Sequence, residues 1–84
     1  MEGEIGVVTH FFSNINVGVI KIEQGVLKEG DTIHIKGATT DFEQQAKSMQ
    51  IEHESVEEAE EGQSIGLKVK DVVREHDKVY KVTE

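Results

Sequence analysis

Gly25-Val26-Leu27-Lys28-Glu29-Gly30-Asp31-Thr32 comes within one residue of a loop that binds nucleotide phosphates. Such a loop reads G-x-x-x-x-G-K-[ST], and its lysine neutralises the β- and γ-phosphates. Here both glycines and the threonine stand at the required spacing, but Asp31 occupies the lysine position. A carboxylate there repels the phosphate it should hold. The next residues, Thr32-Ile33-His34-Ile35-Lys36, alternate like a strand, whereas a phosphate loop must open a helix. The stretch reads as a glycine-bracketed turn feeding a strand.

Other chemistry is equally thin. The histidines His10, His34, His53 and His76 contain no pair at the His-x-x-x-His spacing that holds a metal on one helix face. His53 between Glu52 and Glu54 is the best local ligand set, and it is a weak one. Ser13, Ser48 and Ser55 lack the G-x-S-x-G elbow that exposes a nucleophile; Gly62-Gln63-Ser64-Ile65-Gly66 spells it, but Ser64 leads into the strand read at 65–69 and not from a strand into a helix, as that elbow must. Cysteine is absent, which removes disulfides, thiolate metal sites and thiol nucleophiles. The residues call for no cofactor and no catalytic constellation.

Binding features are better represented. His10-Phe11-Phe12 places two adjacent aromatics on a strand, so one of them faces outward, able to stack on a base or anchor a protein. The stretch from Thr39 to Gln45 offers amides and hydroxyls, with Thr40, Asp41 and Gln45 as contact residues. Lys68, Lys70 and Arg74, with Lys78 and Lys81 beyond them, form the one concentration of positive charge. The chain as a whole carries −8, from 17 acids against 9 basic residues, and no Lys or Arg interrupts the acids from Glu52 to Glu61. That balance argues against broad affinity for nucleic acid, which is bound largely by neutralising phosphates. It suits a protein or ribonucleoprotein partner, with RNA contact confined to a local basic patch.

At 84 residues the chain has room for one domain with one small core. No apolar run is long enough to span a bilayer, so no membrane partner is expected, and the missing cysteines fit a cytoplasmic protein. No internal repeat or linker stands out. Residues 5–11, 17–22, 31–36, 65–69 and 78–82 read as short β-branched strands separated by Gly, Asn and Asp. Residues 43–61 are ambiguous. Ala46, Met49, His53, Val56 and Ala59 recur at helical spacing ahead of Gly62, and local propensity favours a helix over a strand followed by an acidic loop.

The order of the motifs decides for strands. Val17-Gly18-Val19, then Gly25-x-Leu27-Lys28-x-Gly30-Asp31-x-Ile33, then Val56-x-x-Ala59-x-x-Gly62-x-x-Ile65-Gly66-Leu67 resemble domain 2 of translational GTPases such as elongation factor Tu. The family's last glycine–aspartate turn stands here as His76-Asp77, with histidine in place of glycine. The resemblance implies an all-β fold, a small closed six-stranded antiparallel β-barrel over residues 1–84. It also implies a translation elongation factor-like domain standing without its GTPase: a non-catalytic binding module that docks on a protein or ribonucleoprotein. Similar barrels are appended to some U32 peptidases, so the alternative is an accessory part of an RNA- or peptide-processing enzyme. Direct tRNA or rRNA binding ranks last. Neither the partner nor the oligomeric state follows from the residues.

Overall fold

A computed structural model describes residues 2–83. The order of elements is β1 (Glu2–Phe12), β2 (Val17–Ile22), β3 (Val26–Lys28), β4 (Thr32–Lys36), β5 (Asp41–Gln45), β6 (Met49–Ile51), β7 (Glu54–Ser55), β8 (Glu58–Glu60), β9 (Ser64–Lys68) and β10 (Lys78–Val82). The fold is all-β and its pairings are antiparallel, with no helix among the described residues.

Ten strands are seen among the described residues where six were expected, and no closed ring is found among them. Eight strands form one sheet in the order β5-β4-β10-β1-β2-β9-β6-β7, while β3 and β8 pair separately. No ladder joins the two edge strands, β5 and β7, among the described residues. β6 is short: it accompanies β9 only at Met49↔Leu67 and Gln50↔Gly66. Just before it, Ser48 adopts φ +59, turning the chain off the line of the strand.

β1 is the spine, paired with β10 on one side and β2 on the other. Two register shifts break its alternation, between Glu4 and Gly6 against β10 and between Val8 and His10 against β2. Ile5 and Gly6 are consequently buried in succession, and Thr9 and His10 are exposed in succession. Bulges of this kind bend the long strand, so that the sheet wraps over a core of Val8, Ile20, Ile22, Ile33, Ile35, Leu67 and Val79.

The ambiguous middle is β structure. Ala46, Met49 and Ala59 are all buried, but they enter the core from separate segments rather than one helical stripe. Glu52 and His53, at φ +51 and +67, make the two-residue turn between β6 and β7, with Ile51 facing Glu54. Leu27 lies opposite Ala59 in the small β3–β8 pair, and both are fully buried. The Gly-x-Leu and Ala-x-x-Gly motifs are thus two sides of one contact.

Asp31 behaves as a turn residue, not a phosphate ligand. Its Oδ2 accepts the Lys28 N–H at 2.9 Å, and Lys81 Nζ lies 3.1 Å from the same oxygen. β4 follows it directly. At the other end of β4, a Cβ on Gly37 would stand 1.9 Å from Asp77 Oδ1, so that position requires glycine. His76 adopts φ +76, the left-handed backbone that glycine usually supplies.

Candidate functional site

β4 and β5 pair in full register from Thr32↔Gln45 to Lys36↔Asp41. Alternation sends Ile33 and Ile35 into the core and leaves His34 on the outer face with Asp41 and Glu43 of β5. The start of β1 lies beyond β10 on that face, and Glu2 completes a clasp around the imidazole. His34 Nδ1 lies 2.8 Å from Glu2 Oε2, and Nε2 lies 2.5 Å from Asp41 Oδ1. The hydrogen bond to Asp41 is the main force raising the His34 pKa above its ordinary 6.5; partial burial opposes it and Glu2 adds to it. The same contact lowers the Asp41 pKa. Tyr80 of β10 tilts its ring 6.2 Å from the imidazole.

A histidine held at both nitrogens by carboxylates makes a poor general base, because a substrate proton finds no open lone pair. Ligand atoms of Glu2, His34 and Glu43 lie within 4.8 Å of one another, a set that a divalent ion could draw together. The local set anticipated at His53 is not the one the fold assembles. His53 sits in the β6–β7 turn, and His10 contacts Glu75 at 3.8 Å.

The residues expected to bind a partner fall into three places. At the tip of the β1–β2 hairpin, Phe11 packs against the core while Phe12 is 43 % exposed, with His10 edge-on to its ring at 4.5 Å. Ile15 is 55 % exposed nearby, and both border a shallow hollow with Val17, Val19 and Ile65. A second place is a notch between residues 39–42 and 71–74. There Arg74 Nε donates to Thr39 Oγ1 at 2.9 Å, while Thr40 is buried and its carbonyl accepts the Gly37 N–H. Thr40 thus closes the turn through its backbone and offers little side-chain surface, and Asp41 bonds His34.

The third place continues along β5. Gln44, Gln45, Lys47, Lys68, Val69 and Lys70 line an open groove of about 500 Å³. Gln44 spans it, and Lys70 Nζ stands 5.9 Å above the Phe42 ring. Lys78 and Lys81 do not join this basic patch: they pair with Glu4 of β1 and with Asp31 in the turn before β4. Of the candidates named from sequence, Gln45, Lys68 and Lys70 lie on this groove; Lys47 was not singled out, and Gln44 stood there only as part of a polar stretch, because nothing local marks a glutamine whose partners lie 24 and 26 residues away.

Short strands launched from glycine–aspartate turns, with a polar groove along one edge strand, define a small antiparallel β-domain of the translation-factor type. Residues 16–80 match the family described as elongation factor Tu domain 2, and the chain belongs to that family. Within it, the similar proteins found are of two kinds, some described as a protease or collagenase and others as elongation factor 1-alpha, and none is a stand-alone domain. An uncharacterized protease of Methanocaldococcus jannaschii is 45 % identical over 96 % of this chain and 20 % of its own length. A collagenase of Porphyromonas gingivalis is 40 % identical over 84 % of the chain and 20 % of its own length. The chain thus spans about a fifth of the curated relatives it matches. The C-terminal domain of a Geobacillus thermoleovorans protein described as a U32 peptidase shares the fold, with a TM-score of 0.86 at 17 % identity, covering 94 % of this chain and 91 % of that one. No helix is long and apolar enough to cross a membrane among the described residues.

Proposed function

We propose that the chain is a non-catalytic binding domain that works beside the catalytic part of a U32-type peptidase, contributing contact to substrate or to that catalytic part. The observation that carries this reading is the 45 % identity to an archaeal protein described as a protease, over nearly the whole of this chain but a fifth of that one. A domain that small within its relatives leaves most of their length for the chemistry. The geometry agrees: the hollows on this surface are open, and the half-buried His34 is tied up by two carboxylates.

The purified chain should hydrolyse neither gelatin nor GTP. Added to the catalytic portion of a U32-type peptidase, it should associate and lower KM for a protein substrate more than it raises kcat. Peptide or GTP hydrolysis by the chain alone, or failure to associate, would refute the reading. The Lys47, Lys68 and Lys70 cluster beside Phe42 favours a second one, contact with single-stranded RNA. That reading requires salt-sensitive binding that Lys68→Glu with Lys70→Glu abolishes.

A further inference from the structure

Beyond Leu67, no strand among the described residues covers the edge of β9 that β6 has left. Two backbone groups on it, Lys68 C=O and Lys70 N–H, are taken up by one side chain. Gln44 Nε2 donates to Lys68 O at 3.0 Å, and Gln44 Oε1 accepts from Lys70 N at 2.9 Å. A carbonyl and the N–H two residues further on are the pair that one residue of a parallel neighbouring strand would engage. The Gln44 amide therefore stands in for a missing strand. Val69, between them, turns its N–H the other way, to Asn16 O at 2.8 Å, which ties this segment down just before the chain bends at Lys70.

Charge says what would replace the amide. Three of the residues lining the groove are lysines (Lys47, Lys68, Lys70) and none is acidic, on a chain whose net charge is −8. We propose that this edge is a strand-addition site for an extended acidic peptide. The peptide displaces the Gln44 amide, pairs with Lys68 C=O and Lys70 N–H, and sets its carboxylates against the three lysines. RNA would meet the same lysines, but it has no strand to lay on the paired backbone groups. The inference deepens the binding-domain reading and rests on it only in naming the ligand.

The test is titration with a short fluorescein-labelled peptide of alternating glutamate and valine, blocked at both ends, followed by anisotropy and by the Lys70 amide resonance. Saturable binding that shifts that resonance is expected. Gln44→Ala removes the internal competitor and should tighten binding about three- to tenfold, while Lys68→Glu with Lys70→Glu should weaken it about tenfold or more. Gln44→Leu, which keeps the bulk without the hydrogen bonds, repeats the test should the alanine variant melt early. N-methylating alternate backbone amides of the peptide should abolish binding. Equal binding of the methylated peptide, tighter binding of oligouridylate, weaker binding by both Gln44 variants, or no binding at all would each overturn the site. Association with the peptidase portion is measured separately, so either proposal can fail alone.

Discussion

At Lys28–Asp31 and again at Arg74–Asp77 the chain makes the same turn. In each, the aspartate carboxylate accepts the N–H of the residue three back at 2.9 Å, and its own N–H donates to that residue's carbonyl, at 3.0 and 3.1 Å. Glu60–Gln63 repeats the device with an amide: Gln63 Oε1 accepts the Glu60 N–H at 2.8 Å. The sequence shows no repeat, yet the fold uses one turn three times. The first two launch β4 and β10, which pair with each other over five residues. They differ in their anchors. Asp31 is partly exposed and meets Lys81 of β10, whereas Asp77 is 5 % exposed and is pressed against Gly37, just past β4. Each turn is pinned to the strand that the other turn launches. They differ also at the third position, Gly30 at φ +94 against His76 at φ +76. A buried carboxylate can therefore impose a left-handed residue that the side chain itself disfavours.

Gly37→Ala should do the most damage, because its Cβ has nowhere to go but into the Asp77 carboxylate. A loss of about 3 kcal/mol is expected in urea unfolding, the upper range for overpacking. Combining it with Asp77→Ala should cost clearly less than the two single losses together, since the clash and the cap share one group. Strict additivity would show that the two turns are not interlocked in this way. Next in size, Asp77→Ala should cost about 2–3 kcal/mol by stranding a half-buried N–H, and Asp31→Ala about 1 kcal/mol where water can reach the turn. Equal losses would erase the distinction between the anchors. The third position gives a smaller effect of opposite sign: His76→Gly should stabilise, and Gly30→Ala destabilise, each by about 1 kcal/mol in thermal melts.

The first of these turns was legible in the sequence because its parts are contiguous: two glycines, an aspartate and then alternating β-branched residues. The second was visible only through the family pattern, with His76 where a glycine was due. Residues 43–61 misled local reasoning. Their helix formers are real, but Met49 and Ala59 are held by partners in β9 and β3, and packing outweighs propensities of a few tenths of a kcal/mol per residue. The expected ring of six strands did not anticipate how briefly β6 accompanies β9, just after the left-handed Ser48. Site residues split the same way. Phe12 and the lysines could be named as candidates from their types, but the clasp on His34 reaches 32 residues back to Glu2 and leaves no local mark.

That clasp supplies the smallest effect, and it separates the outer face from the turns. Its pH window follows from the two shifts. The His34 pKa is raised in the fold, so its contribution is complete below 6.5 and fades as pH rises through the raised value. The Asp41 pKa is lowered, so its contribution holds above 3.8 and fades as pH falls through the lowered value. The contact should stabilise most between those two ordinary values. Melts of the wild type should therefore show a midpoint that declines from pH 6 toward pH 9, and His34→Gln should flatten that decline. Asp31→Ala and Asp77→Ala should melt earlier at every pH yet keep its slope, since neither carboxylate touches the imidazole. A slope that survives His34→Gln but vanishes with either turn variant would move the pH-sensitive group from the outer face of β4 to the turns that launch β4 and β10.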